Sequence, residues 1–295
     1  MANSREDRCD CGSAGERGAG ERGAGEFGDA VWDEPERLHV RKSLIPEGDN
    51  TAFERIMGVS DIFPINYLSR GVAAARSICK VQLYRGGRIP AGAGSGFLVG
   101  PNLLLTNNHV IRSRQSAAQA SAIFQYEMDE DFSLGRSAEF SITDETFFTS
   151  ASDNLDFSFV SVEEGNKEAR SLSDFGSLKL LPQSGKAVKG EAVSIIHHPN
   201  GGLKSLSLRN SQILSVHDHF ITYSSDTLPG SSGAPVLNDQ WLPVALHHRS
   251  ISHPSNRNRW IANRGIRISA ILTNLKLHAS KRNTDAMRIT ERLGL

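Results

Sequence analysis

From about residue 79 to residue 265 the apolar positions form short runs separated by turn-forming residues. The runs are "CKVQLY", "GSGFLVG", "NLLLTNNHV", "AIFQYE", "LDFSFVSV", "AVSIIHH", "LKSLSL", "SQILSV", "HFITYS", "APVLN" and "LPVALHH". Many short strands without helical spacing between most of them predict an all-β barrel or sandwich, not a parallel sheet. The period changes on either side. In "PINYLSRGVAAARSI", Ile65, Leu68, Val72, Ala75 and Ile78 recur at helical spacing behind Pro64, which predicts a helix before the first strand. In "ISAILTNLKLHASKRNTDAMRITERLGL", helical spacing returns at Ile268, Ile271, Leu272 and Leu275, which predicts a C-terminal helix packed on the β body.

Residues 1–35 carry the near-repeat "GERGAGERGAGEFG", rich in glycine and charge. Such a stretch buries too little apolar surface to order itself and reads as a disordered tail. The expected organisation is that tail, a helical lead-in over 36–78, a body over 79–275 whose halves meet near 165–190, and a helical extension over 276–295. The 33 Lys plus Arg balance the 33 Asp plus Glu, which leaves no electrostatic footprint for nucleic acid or an anionic membrane. No run reaches the length of a membrane helix, and "MANSREDRCDCGSAGERGAG" lacks a signal peptide's apolar core. Cys9, Cys11 and Cys79 cannot build a disulfide framework. These features predict a soluble cytoplasmic protein. Cys9 and Cys11 have no second pair at ligand spacing, so no metal and no cofactor is expected.

A hydrolase built on serine needs a base, a carboxylate that orients it, and backbone donors for the oxyanion. His109 follows an apolar strand in "GSGFLVGPNLLLTNNHVI". Asp156 opens the apolar "LDFSFVSV", where an isolated carboxylate costs several kcal/mol unless a partner receives it. Asp153 competes with it but sits in the polar "ASDN". The turn "DTLPGSSGAPV" offers Ser231 and Ser232, and the chain order His109, Asp156, serine is one of the known triad orders. Each piece alone has an ordinary structural reading, and their joint occurrence points to a peptidase site. His197 and His198 read as structural or rim residues, and His217, Asp218 and His219 as a solvent-exposed group.

The pieces "GSGFLVGPNLLLTNNHV", "NLDFSFVSV" and "PGSSGAPV" resemble the trypsin-like serine peptidases, and most of all the bacterial glutamyl endopeptidase branch, over roughly residues 79–275. The segments "INYLSRGVAAARSIC", "VSIIHHPNGG" and "NDQWLPVALHHRS" resemble intracellular bacterial trypsin-like proteins, some of which occur beside effector or defence modules. The resemblance implies the chymotrypsin-like double six-stranded antiparallel β-barrel. It implies His109 as base, Asp156 as its orienting acid and Ser232 as nucleophile, because Gly233 follows Ser232 in the Gly-x-Ser-Gly motif. The N–H groups of Gly230 and Ser232 would form the oxyanion hole, with a side chain at residue 230 expected to obstruct the substrate carbonyl.

The same resemblance assigns Thr227, five residues before Ser232, and His247, 15 after it, to a pocket for an acidic substrate side chain, with His248 beside them. Asp226 stands where trypsin carries its pocket acid and keeps cleavage after Lys or Arg open. The implied activity is endopeptidase cleavage of protein substrates, favouring Glu or Asp, in a regulated bacterial effector of a signalling or antiviral defence system with a possible regulatory protein partner. The rivals are a non-catalytic interaction module on the same barrel and an esterase or thioesterase. Glu16, Glu21 and Glu26 would then be sites of self-trimming in the tail.

Overall fold

The computed structural model describes residues 34–295 apart from 59, 87, 88, 209 and 254, and apart from the side chains of 253 and 256–259. The Gly-rich tail up to residue 33, with Cys9, Cys11, Glu16, Glu21 and Glu26, lies outside the described residues. Three helices come first: α1 (Pro35–Ser43), α2 (Ala52–Ile56) and α3 (Asn66–Arg76). Strands β1 (Ile78–Arg85), β2 (Ile89–Gly100), β3 (Leu103–Thr106), β4 (Ala120–Phe124), β5 (Ala138–Ser150) and β6 (Phe157–Val162) close a barrel in the order β1-β2-β3-β6-β5-β4. A short helix, α4 (Arg114–Ala117), bridges β3 and β4.

The second half is a seven-stranded antiparallel sheet of β7 (Ser194–His197), β8 (Ser205–Ser207), β9 (Ile213–Val216), β10 (Phe220–Tyr223), β11 (Pro235–Leu237), β12 (Pro243–His253) and β13 (Asn256–Arg267). Its order is β8-β7-β11-β12-β13-β10-β9. This half therefore has one strand more than the expected six and is open as a sheet. Its ends are drawn together where the lead-ins to β7 and β9 meet. There Val193 N–H donates to Ser211 O at 2.9 Å and Ile213 N–H to Glu191 O at 3.0 Å. The architecture is two antiparallel β units with a few helices, the chymotrypsin-like arrangement.

The runs "GFLVG", "NLLLT" and "FSFVSV" are mostly apolar, with Thr106, Ser158 and Ser161 buried among them, because both faces of these parts of β2, β3 and β6 are covered. Leu98, Leu104 and Val160 point into the barrel with Phe124, Phe140 and Phe175. Their neighbours Phe97, Leu103, Leu105 and Phe159 pack outward on Ile268, Ile271, Leu272 and Leu275 of α5 (Ile268–Ser280). That helix runs past residue 275 without a break, and α6 (Thr284–Arg292) follows, capped by the Asn283 side chain. Helical spacing thus located both the C-terminal helix and its buried face.

On α3 the same kind of spacing located the helix but marks its outer side. Ile65, Leu68 and Val72 are exposed, while Gly71 and Ala74 are buried. Gly71 lies so close to Trp241 that an added Cβ would stand 2.5 Å from the indole, and Trp241 Nε1 donates to Tyr67 O at 3.0 Å. Close approach through a small residue, not burial of the large ones, seats this helix. Strands β5 and β13 were not anticipated. The alternation Ala138, Phe140, Ile142 is broken by "TDET" at a register shift, and β13 is too polar to read as a strand.

The helical lead-in is fastened to the second half by buried ions. Arg41, 1% exposed, donates from Nε to Glu191 Oε1 at 2.8 Å and also reaches Gln240. Arg55 pairs with Asp49 at 2.6 Å and lies 3.6 Å from Asp239. Burial raises the Glu191 carboxyl, against the opposing pull of Arg41, and pushes Asp239 up to about 6.

Candidate active site

Beyond β3 the chain turns at Asn107, whose carbonyl accepts the N–H groups of Val110 and Ile111, and this turn presents His109. His109 Nδ1 lies 2.6 Å from Asp156 Oδ2, and its main-chain N–H donates to Asp156 Oδ1 at 2.9 Å. One residue thus engages both carboxylate oxygens. Asp156 is fully buried with φ +48°, a left-handed conformation that Asp tolerates better than most residues. Its N–H donates to Ala151 O at 3.0 Å, and its carbonyl accepts Asn107 Nδ2 at 2.8 Å. The His109 side chain is 32% exposed, so the imidazole has a wet side and a side closed by the carboxylate. Asp153 is exposed, as are His217, Asp218 and His219.

His248, grouped by sequence with the substrate pocket, is instead turned toward Asp156. Its Nε2 lies 3.1 Å from Asp156 Oδ2, and Phe220 stacks on the ring at 6.5 Å between centroids. Burial lowers the imidazole to about 4, with Asp156 pulling the other way. A neutral ring facing an acceptor-only carboxylate carries its proton on Nε2. Its Nδ1 is then a buried lone pair without a partner among the described residues. The carbonyl of His248 accepts from Ser232 Oγ at 3.4 Å, so one residue of β12 touches both the carboxylate and the serine.

Planar trans peptides decide where the loop's amides point. The Pro229 carbonyl accepts Asn200 N–H, so Gly230 N–H, in the same peptide plane, faces the opposite way. The Ser231 carbonyl accepts Ala234 N–H at 3.1 Å, which turns Ser232 N–H outward in the same manner. Neither amide donates to an acceptor among the described residues. Gly230 has φ +93°, and an added Cβ would stand 2.6 Å from Gly201 N and His198 O. The glycine is therefore required by the backbone beneath the loop. Ser232 is partly exposed, and its carbonyl accepts Ser95 N–H at 2.8 Å. Ser231 is fully buried, with its Oγ 2.7 Å from His197 Nδ1.

Thr227 Oγ1 donates to Asn263 Oδ1 at 2.8 Å, and Ser250 Oγ donates to the same oxygen at 2.9 Å. Asn263 Nδ2 donates to Ser225 O at 2.6 Å, which fixes the amide orientation. His247, 3% exposed, has Nδ1 at 2.5 Å from the hydroxyl of the fully buried Tyr223. Burial lowers His247 to about 3 and raises Tyr223, so both are neutral at pH 7. Asp226 is exposed, and its carbonyl accepts from Ser207 Oγ at 2.8 Å. Sequence reasoning missed Asn263, Ser250 and Tyr223. Asn263 reaches Ser250 only through the register of β12 with β13, a strand the pattern did not announce.

Among the described residues, His109, Asp156 and His248 place possible metal-ligand atoms within 4.8 Å of one another. The His248 proton already faces the carboxylate and the His109 ring meets the same oxygen, so a cation there would have to replace those contacts. No helix among the described residues is long and apolar enough to cross a membrane.

The chain is 36% identical over 263 residues to an uncharacterised protein, y4fB, of Sinorhizobium fredii, a match covering 77% of this chain and 40% of that relative. It thus spans less than half the length of that curated relative. Similar solved structures include the inactive form of Rv3671c from M. tuberculosis H37Rv, with TM-score 0.49 and 15% identity over 74% of this chain and 96% of that one. A Glu endopeptidase in complex with MPD has TM-score 0.49 and 18% identity over 70% of this chain and 90% of its own. Deg5 has TM-score 0.48 and 16% identity over 70% and 92%. The family profile described as "Trypsin-like peptidase domain" matches residues 94–246, more than half of the chain and the stretch from within β2 through His109, Asp156 and Ser232. The chain belongs to the trypsin-like peptidase family.

Proposed function

We propose that this chain is a serine endopeptidase in which Ser232 attacks the scissile carbonyl, His109 is the general base and Asp156 orients it. The observation that carries this reading is the grip of the fully buried Asp156 on both Nδ1 and the main-chain N–H of His109. With Nδ1–H directed at the carboxylate, Nε2 is left to take the serine proton. The carbonyl oxygen that becomes negative would be received by the outward amides of Gly230 and Ser232. The amine leaves with the proton from His109, and water then attacks the acyl-enzyme with His109 again as base. No metal or cofactor enters these steps.

For specificity, we propose an acidic side chain next to the scissile bond. The hydroxyls of Thr227 and Ser250 converge on one acceptor, Asn263 Oδ1, and an entering carboxylate would offer them another. If the Tyr223 hydroxyl donates to His247 Nδ1, Nε2–H is a further neutral donor. The exposure of Asp226 supports this reading over a pocket for Lys or Arg. The wider setting proposed is a regulated effector of a signalling or defence assembly, in keeping with a relative that is more than twice as long as the matched region.

A fluorophosphonate probe tests the chemistry. Wild type and Ser231→Ala should be labelled at end point and Ser232→Ala should not. Labelling that survives in Ser232→Ala and disappears in Ser231→Ala would overturn the assignment.

A further inference from the structure

The buried side chains of His197 and Ser231 have no part in proton transfer, yet they meet directly under the loop that bears the nucleophile. Ser231 Oγ accepts Leu228 N–H at 3.2 Å and lies 2.7 Å from His197 Nδ1. At the other side of the ring, Nε2 lies 3.1 Å from Ser207 Oγ, which donates to the carbonyl of Asp226 at 2.8 Å.

Proton counting leaves one arrangement. A carbonyl only accepts, so the single hydroxyl proton of Ser207 is directed at Asp226. Ser207 Oγ must then accept at the ring, which places a proton on Nε2. A neutral imidazole so protonated accepts at Nδ1, where the donor among the described residues is the Ser231 hydroxyl. Burial lowers His197 to about 4, which keeps the ring neutral at pH 7. The resulting sequence of donors runs from Leu228 N–H through Ser231 and His197 to Ser207 and Asp226, with each group satisfied in one direction.

We propose that His197 is a positioning residue of the oxyanion loop, its one imidazole tying Ser231 and Asp226, the two ends of the segment that carries Gly230, to strand β7 and the β8 hairpin. The proposal rests on the reading of Ser232 as nucleophile. The adjacent main chain acts in the same direction. His198 N–H donates to Ser95 Oγ at 3.0 Å, and Ser95 Oγ donates to the carbonyl of Gly230 at 2.9 Å. The end of β7 thus holds three residues of the loop from beneath. Of the contacts from the end of β7, the His197 contact is the one made to a side chain of the Ser231–Ser232 pair. Loss of that contact loosens the Ser231–Ser232 peptide, which Ala234 N–H still holds at the Ser231 carbonyl, and with it the amide aimed at the developing oxyanion. A mispositioned donor weakens the transition state far more than the encounter complex.

The test is the kinetics of fluorophosphonate labelling, separated into maximal rate and half-saturating concentration, on folded full-length protein. His197→Ala should lower the maximal rate about tenfold or more, with half-saturation changed by less than about threefold. His197→Asn should recover most of that loss, because its carboxamide oxygen can take the place of Nδ1 as acceptor for Ser231. Ser207→Ala, at a partly exposed position, should lower the maximal rate about threefold and carries the decision if His197→Ala does not fold. A maximal rate within twofold of wild type in His197→Ala, or in Ser207→Ala if that variant alone folds, overturns the proposal. Equal losses in His197→Ala and His197→Asn overturn it too, since they show a packing role. Absence of labelling in the wild type would instead overturn the reading of Ser232.

Discussion

Asp156 Oδ2 stands 2.6 Å from His109 Nδ1 and 3.1 Å from His248 Nε2, so a single carboxylate oxygen serves two imidazoles. The second contact holds the carboxylate and steadies the oxygen on which His109 depends. A hydrogen bond to a charged group contributes about 1.5–3 kcal/mol. His248→Ala should therefore lower kcat/KM roughly tenfold, while Asp156→Asn, which upsets the His109 tautomer, should lower kcat on the order of 10⁴-fold. Steady-state kinetics on a peptide substrate compare the two. Equal losses would show that His248 does more than hold the carboxylate.

Four buried histidines make acid stability a second test. His197 and His248 are lowered to about 4, and His198 and His247 to about 3, each chiefly by desolvation of the charged form. Above pH 6.5 these rings are neutral whether the chain is folded or not, and their contribution to stability is complete. Between pH 6.5 and 4 the unfolded chain binds protons that the folded one refuses, so stability falls with pH. Asp239 and Glu191, raised by burial, act in the opposite sense and offset part of the effect. The melting temperature should fall between pH 6.5 and 4.5 with a slope equivalent to about two protons. A constant melting temperature over that range would contradict the burial of these rings.

The loop glycine offers a third. At φ +93°, with the backbone of His198 and Gly201 directly behind it, Gly230 leaves no room for a methyl group. Gly230→Ala should displace the loop and lower kcat about 10²-fold or more, with a modest change in melting temperature. A variant that keeps wild-type kcat would remove Gly230 from the oxyanion role.

The pocket provides the last. Cleavage-site mapping on a denatured proteome, with Ser232→Ala as blank, should give Glu or Asp at the cut. His247→Ala should reduce those cuts by about tenfold, and Asn263→Leu should do so as well, because it removes the acceptor that gathers Thr227 and Ser250. Dominant cleavage after Arg would reverse the specificity reading. If Glu is preferred, intact-mass analysis should find wild type shortened near Glu16, Glu21 or Glu26 and Ser232→Ala at full length.

Much of the fold was legible because burial writes itself into local pattern. The buried stretches of β2, β3 and β6 carry apolar residues on both faces, and α5 presents Ile268, Ile271, Leu272 and Leu275 at one period to the core. Where burial proceeds through small residues the pattern misleads. Gly71 and Ala74 seat α3, and the large residues that revealed the helix face outward. Strand β13 was missed because it is held by its pairing with β12 and β10, and not by an apolar run.

The candidate site divides along the same line. By itself the sequence determined the types and order of His109, Asp156 and the serine pair, because an acid entering an apolar strand and a glycine-bounded serine turn are local signals. Tertiary structure alone decided which groups meet across long chain separations. It buried Ser231 on His197 and left Ser232 partly exposed, turned His248 toward Asp156, and set Asn263 against Thr227 and Ser250. The physical reason is that hydrogen-bond partners are chosen by strand register and by the enclosure of polar groups that must be satisfied, and no local pattern in the chain records either.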